Sequence, residues 1–294
     1  MRLLIVTQKI DKDDENLGFF HSWVEEFAKH ADELTVIAGY VGRHSFPVNV
    51  RVVSLQKEKG AGRPRRIWRY IFFFCRYLRE ADAIFFHMIP EFVLASRHAI
   101  DTNIFVSNSK PETLNFKTLR ILTVGRISPV KDIETIIRAC AFLKNNWDRQ
   151  WSFSIVGGPL MPRDEEYLRV LKKLVAEGDL ARHISFQGAR PWSEIPYIYN
   201  EHDIFISMST TGSIDKSVLE AMSSGLTVIT ANEAFQSLLP PKYFLEKRSP
   251  EFLAERIKIL ADENRPNMGL RDLVIQNHSL GKTIKKIMDA YIKL

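Results

Sequence analysis

Two stretches of this chain combine residue types and spacings that could do chemistry. The first is VGRISPVKDIETIIRA, residues 124–139. A short apolar run, ILTV (121–124), ends in Gly125, and Arg126 and Lys131 follow in a loop that opens a helical pattern. In an open parallel sheet, ligands bind beyond the carboxyl ends of the strands. Two cations there, beside the free N–H groups of a helix start, suit a diphosphate. The plainer reading is a pair of solvated loop charges. The second stretch is STTGSIDKSVLEAMSSGLTVIT, residues 209–230. Small hydroxylated residues surround Gly212, and their backbone N–H groups could cradle phosphate or sugar oxygens. A helix over Lys216 to Ser223, closed by Gly225, then carries Glu220. That carboxylate could accept hydrogen bonds from ribose hydroxyls, or it could be an ordinary surface helix residue. Asp215 reads as a helix cap. Weaker signals are the strand-end glycines Gly157, Gly158 and Gly188, and Gly18 just before an aromatic helix. His87 at the end of AIFFH could serve as a general base or donor, or as a structural histidine.

The elements that must position these residues alternate. In the second half, ILTV (121–124), WSFSIVGG (151–158), HISFQG (183–188), DIFISMS (203–209) and LTVIT (226–230) read as strands separated by helical patterns. The first half begins likewise, with RLLIVT (2–7), LTVIA (34–38), VRVVSL (50–55) and AIFFH (83–87) as strands. Phe19, Phe20, Trp23, Val24, Phe27 and Ala28 trace one helix face. Strands alternating with helices predict an α/β fold with parallel sheets. From Pro90 to about Thr118 the rhythm stops in a polar connector, VSNSKPETLNFKT.

Composition narrows the field. The chain has 294 residues, enough for about two domains. With 45% apolar and 26% charged residues it is neither collagen-like, nor disordered, nor a disulfide scaffold. The longest apolar run in its aromatic segment, Tyr70 to Cys75, falls far short of the roughly 20 residues of a membrane span. The apolar run at the start is too short for a secretory signal. The expected location is therefore the cytoplasm, with the inner face of the membrane as the alternative. Cys75 and Cys140 both sit in apolar helical patterns and read as reduced core thiols. No Cys/His spacing predicts zinc, and Asp11-Lys12-Asp13 reads as a solvated acidic loop. The net charge is +6, a mild preference for anionic partners. Much of the excess lies between Lys57 and Arg79. There RRIWRYIFFFCRYLRE (65–80) admits two readings: a domain helix packing Ile67, Ile71, Phe74 and Leu78 on a sheet, or a helix lying on an anionic bilayer. No nucleic-acid module appears, so no nucleic-acid partner is expected.

As an ordered set, these motifs resemble the retaining family-4 glycosyltransferases of the GT-B fold. The matching pieces are the front loop Asn16 to Phe20, HMIPE (87–91), AIDTNIF (99–105), VGRISPVKDIETIIRA, FSIVGGP (153–159), ISFQGA (184–189) and DKSVLEAMSSGLTVIT (215–230). The resemblance implies two Rossmann-like domains with parallel sheets. The N-terminal, acceptor-side one spans 1–107 in shortened form. The nucleotide-sugar-binding one spans 108–277, and a final helix, 278–294, returns toward the first. It implies that Arg126 and Lys131 grip the donor diphosphate, Glu220 the ribose, and that His87 lies near the transferred sugar. Gly18 would approach the phosphates, and Ala189 and Arg190 would lie by the base. Gly125, Gly157, Gly188, Thr211, Gly212, Ser213, Ser217 and Val218 would line the donor site. The implied reaction retains anomeric configuration, needs neither bound metal nor cofactor, and delivers the sugar to a glycan or lipid-linked acceptor. The leaving phosphate would help deprotonate that acceptor.

Two departures stand out. The family usually carries two glutamates eight positions apart; Glu220 is the second, and Gly212 stands at the first. The family also has several strands and helices between the HMIPE and GID-like segments, whereas here Ala95 leads almost at once to Ala99-Ile100-Asp101, with Ala99 in place of a glycine. A sheet cut short leaves an edge strand uncovered, so low stability or self-association is expected. The competing readings are a degenerate, non-transferring nucleotide-binding or interaction protein, and a nucleotide-sugar epimerase sharing the two-domain fold.

Overall fold

The computed structural model describes residues 1–87, 99–107, 118–263 and 265–292. Met88 to Glu91 of the HMIPE segment, Ala95 and Ser96, and positions 108–117 of the connector lie outside the described residues. The chain divides into two compact units.

The first unit comprises Met1–Asp101, Pro191–Ser193 and Ser279–Leu294. Its sheet has four parallel strands: β1 (Arg2–Ile10), β2 (Glu33–Val41), β3 (Val50–Ser54) and β4 (Ala83–His87), in the order β3-β2-β1-β4. Leu3, Leu4, Ile5 and Val6 are all buried, as a strand covered on both faces requires. On one face α1 (Phe20–Ala28) contributes Phe20, Trp23, Val24 and Phe27. The last helix, α9 (Leu280–Ile292), adds Leu280, Ile284 and Met288 to the same core. On the other face α2 (Arg63–Leu78) brings Tyr70, Phe73, Phe74 and Tyr77 against Leu4, Ile37 and Val53.

That packing corrects the face expected for α2. Of Ile67, Ile71, Phe74 and Leu78, only Phe74 packs on the sheet side; Ile67, Ile71 and Leu78 are exposed. Both sets have helical spacing. Tyr70, Phe73, Phe74 and Tyr77 form an i, i+3, i+4, i+7 stripe of aromatic rings, which offers more apolar area to bury than the aliphatic set. The same rotation turns Cys75 outward, so only Cys140 is a core thiol. Burial pushes the Cys140 thiol well above its ordinary range.

The second unit comprises Thr102–Arg190 and Glu194–His278. Its parallel sheet has five strands: β5 (Thr118–Val124), β6 (Gln150–Val156), β7 (Ile184–Gly188), β8 (Ile204–Ser207) and β9 (Thr227–Thr230), in the order β7-β6-β5-β8-β9. The helices are α3 (Ile133–Asn146), α4 (Pro162–Glu177), α5 (Ile195–Asn200), α6 (Lys216–Ser223), α7 (Pro250–Leu260) and α8 (Met268–Asn277). Helix α3 packs on α4 and α7, and α6 on α8. The chain steps outward from β5 to β7 and then resumes at β8 on the other side of β5. The strand order therefore reverses between β5 and β8, where a crevice opens beyond the strand ends. β5 begins at Thr118, inside the stretch read as connector, because Thr118 to Arg120 pair with Gln150 to Ser152 and the Arg120 N–H donates to Asp203.

Candidate functional site

The crevice beyond β5 and β8 is lined by Thr123, Val124, Gly125, Arg126, Lys131, Ile133, Ser207 and Ser217. Three glycine turns build its floor. The Gly125 N–H donates to the Val156 carbonyl, Gly157 N–H to Gly188, and Ile127 N–H to Gly158. The turns after β5, β6 and β7 are thus knit edge to edge. A Cβ on Gly157, whose φ is 137°, would stand 1.9 Å from the Gly125 carbonyl oxygen, so only glycine fits.

Each cation faces a carboxylate from a distant part of the sequence. Lys131 Nζ donates to Asp215 Oδ1 at 2.7 Å. The other Asp215 oxygen accepts from Ser207 Oγ at 3.1 Å. Asp215 occupies the position before α6, yet its side chain makes no capping bond; the ammonium of Lys131 competes for it and wins, correcting the expectation of a plain cap. Arg126 Nε lies 3.9 Å from Asp164 Oδ2. Asp164 is wholly buried and accepts from the Leu160 and Met161 N–H groups at the start of α4. Its other oxygen has no hydrogen-bond partner among the described residues. Neither partnership is legible in the sequence. The signal available was two lone acids near helix starts, which ordinarily mark caps.

Glu220 is not a surface residue. It is 8% exposed on α6, and the Tyr199 hydroxyl lies 3.1 Å from its Oε2. Burial pushes the Glu220 carboxyl up, opposed by the Lys216 ammonium one turn earlier and by the Tyr199 hydrogen bond. Burial in turn pushes the Lys216 ammonium down. The two groups thus share one helix face, and burial works against the charge of each. Neither Lys216 nor Tyr199 stood out in the sequence, since a single lysine or tyrosine on a helix carries no local signal.

The remaining residues fall into three groups. Gly125, Arg126, Lys131 and Ser217 line the crevice, and Val218, next to Ser217 on α6, is fully buried. Thr211, Gly212 and Ser213 are exposed in the loop after β8, where Ser209, Thr211 and Ser213 link hydroxyl to hydroxyl. Gly212 has φ 66° and open space around it. This loop is anchored by Arg248, whose guanidinium donates to the carbonyls of Met208, Ser209 and Ala231, and by Asn232, which donates to Ser213. Gly188 at the end of β7 and Ala189 and Arg190 just beyond it are exposed, with Arg190 3.6 Å from Glu194. The third group lies in the first unit. A Cβ on Gly18 would meet the Asp14 carbonyl at 2.5 Å and Trp192 Cβ at 2.7 Å, so close packing alone requires glycine there. His87 stacks on Phe20 with ring centroids 3.7 Å apart, and its Nδ1 lies 3.1 Å from Thr7 Oγ1.

Residues 106–272 match the family model described as glycosyl transferases group 1. Over 139 residues the chain is 31% identical to the amylovoran biosynthesis glycosyltransferase AmsK of Erwinia amylovora, covering 42% of this chain and 32% of that protein. The matched stretch thus spans about a third of that curated relative. Among solved structures, HepE of Anabaena in complex with UDP and glucose superposes with a TM-score of 0.71 at 15% identity, covering 99% of each chain. Sucrose-phosphate synthase of Thermosynechococcus elongatus gives a TM-score of 0.75 at 16% identity, over 99% of this chain and 98% of that one. At such identities the likeness speaks to the fold, two parallel-sheet units of the GT-B kind.

Proposed function

Because the chain belongs to the glycosyl transferases group 1 family, we propose that it moves a sugar from a nucleotide-diphosphate donor to a glycan or lipid-linked acceptor, with retention and without a metal ion. The observation that carries this reading is the meeting of Arg126, Lys131 and Ser217 in one crevice where the strand order reverses, with Glu220 buried on the helix beside it. The sugar C1–O bond to the diphosphate breaks, and the acceptor oxygen forms its bond on the same face. Arg126 and Lys131 neutralise the charge that gathers on the leaving diphosphate, aided by the N-terminus of α6. The acceptor proton passes to the leaving phosphate oxygen. Asp164 and Asp215 hold the two cations in place beforehand, so little rearrangement is required when charge develops. Glu220 receives the ribose hydroxyls. The first unit carries the acceptor and His87. AmsK, named for amylovoran biosynthesis, supports a glycan acceptor. HepE, solved with UDP and glucose, makes UDP the first nucleotide to try.

The test is calorimetric titration with UDP, GDP and ADP, repeated with Arg126→Ala. Binding of one nucleotide that weakens by about 100-fold in the variant supports the proposal. No binding by folded protein overturns it. That outcome favours a degenerate member, the reading for which Gly212 speaks, since the loop presents an open backbone where the family carries a carboxylate.

A further inference from the structure

We propose that the outward face of α2 docks the first unit on an anionic phospholipid bilayer. Ile67, Trp68, Ile71, Phe72 and Leu78 are 50%, 63%, 55%, 47% and 41% exposed, and Cys75 between them is exposed as well. Their spacing places them along one side of the helix, next to the aromatic stripe that packs on the sheet. Trp68 and Phe72 stack on each other in solvent, with centroids 5.4 Å apart. Isolated exposed apolar residues are ordinary on a protein surface. Six contiguous ones, with a tryptophan among them, mark an interaction site.

The charges beside this stripe select the occupant. The sequence of α2, RPRRIWRYIFFFCRYL, holds five arginines and no acid. Arg79 follows directly. Arg63, Arg65, Arg76 and Arg79 are exposed. Among the described residues, none of the helix's arginines has a carboxylate partner, although surface arginines elsewhere in the chain have them, as Arg138 does with Glu134 and Arg169 with Glu166. Arginine's planar guanidinium pairs with phosphate oxygens in a forked geometry. Arg69 is spent on the Ser54 carbonyl, but an apolar stripe rich in aromatics beside arginines that no carboxylate neutralises is the pattern of a helix lying in the headgroup layer. No described helix is long and apolar enough to cross a membrane, so the helix would lie along the surface. A second copy of the chain fits less well. Pairing two such faces would set arginines against arginines, with no acid on either helix to offset them.

The test is co-sedimentation of the full chain with phosphatidylcholine vesicles, with and without phosphatidylglycerol, at low and high salt. Wild-type protein is expected to partition onto the phosphatidylglycerol vesicles, less so in high salt. The double variant Trp68→Ser/Phe72→Ser and the double variant Arg65→Gln/Arg76→Gln should each weaken partitioning by about tenfold or more. Both change exposed side chains, and an unaltered circular dichroism spectrum and melting temperature show that the fold is kept. Vesicle binding that ignores phosphatidylglycerol, or that both variants retain, overturns the proposal. So does absence of vesicle binding; a dimer that Trp68→Ser/Phe72→Ser dissolves would then assign the face to a second copy.

Discussion

Helices α2 and α6 each follow a glycine-containing loop and each present apolar residues on more than one side, yet they end in opposite circumstances. Of the eight residues of α6, six are buried; of the sixteen of α2, only Tyr77 is. The two units differ in the same sense in their polar interiors. All four buried carboxylates among the described residues, Asp164, Asp203, Asp215 and Glu220, belong to the second unit. In the first unit the buried polar residues are the neutral Thr7, Ser22, Ser279 and Thr283 and the imidazole of His21. A buried charge is tolerated only where partners are fixed around it. The second unit therefore keeps fixed charges inside, and the first unit places its charge and its spare apolar surface outside.

Three experiments bear on that contrast. The largest effect is expected at Asp203, 2% exposed, which lies 3.0 Å from Arg120 and 2.7 Å from Arg265. Although burial alone would raise its pKa, hydrogen bonds from Arg120 and the charges of both arginines hold the Asp203 carboxyl below its usual range. Asp203→Ala leaves those cations without their shared partner and should destabilise the protein by about 3–5 kcal/mol, read from the midpoint of urea unfolding. A loss under about 1 kcal/mol would mean the second unit does not depend on its buried charges.

The next effect is pH-dependent and belongs to the first unit. His21 stacks on Phe46 and accepts the Ser45 N–H. Burial, with help from the nearby Lys12, lowers its pKa from 6.5 to about 4. The folded state therefore binds a proton more weakly than the unfolded chain. The stability linked to neutral His21 is fully present above about pH 6.5 and is lost as pH falls toward 4, an amount on the order of 2–3 kcal/mol. His21→Gln should flatten the stability profile in that window, and an unchanged slope would remove His21 from the account. The smallest effect is expected on the outer side of α2. Ile71→Ser should change stability by no more than about 0.5 kcal/mol, whereas Leu219→Ala on α6, at 1% exposure, should cost about 2–5 kcal/mol. Similar costs at both positions would break the contrast between the helices.

The same contrast explains what could be read in advance. The bounds of β4 and α6 follow from the sequence because glycine turns and short apolar runs punctuate it locally. The parallel α/β architecture follows from the alternation of strands and helices. The face of α2 does not follow, because two stripes that share Phe74, one aromatic and one otherwise aliphatic, both satisfy helical spacing, and only the shape of the sheet decides between them. The partners of the site cations do not follow either. Lys131 and Asp215 are 84 positions apart, and they meet only because β8 returns to lie beside β5. A carboxylate whose natural local role is to cap a helix gives no hint that a distant ammonium will claim it.

Arg248 stands well outside the loop it serves, just before α7. Its guanidinium gathers the carbonyls of Met208, Ser209 and Ala231 at 2.6, 3.0 and 2.7 Å. The hydroxyl-rich loop is therefore not a portable module. Exchanging residues 209–213 for those of a relative, in order to alter donor choice, would transplant the tip and leave its tether behind, matched to the old geometry. A chimera that also carries over the segment from β9 to the start of α7 keeps loop and tether together, and is the unit in which this part of the protein can be swapped.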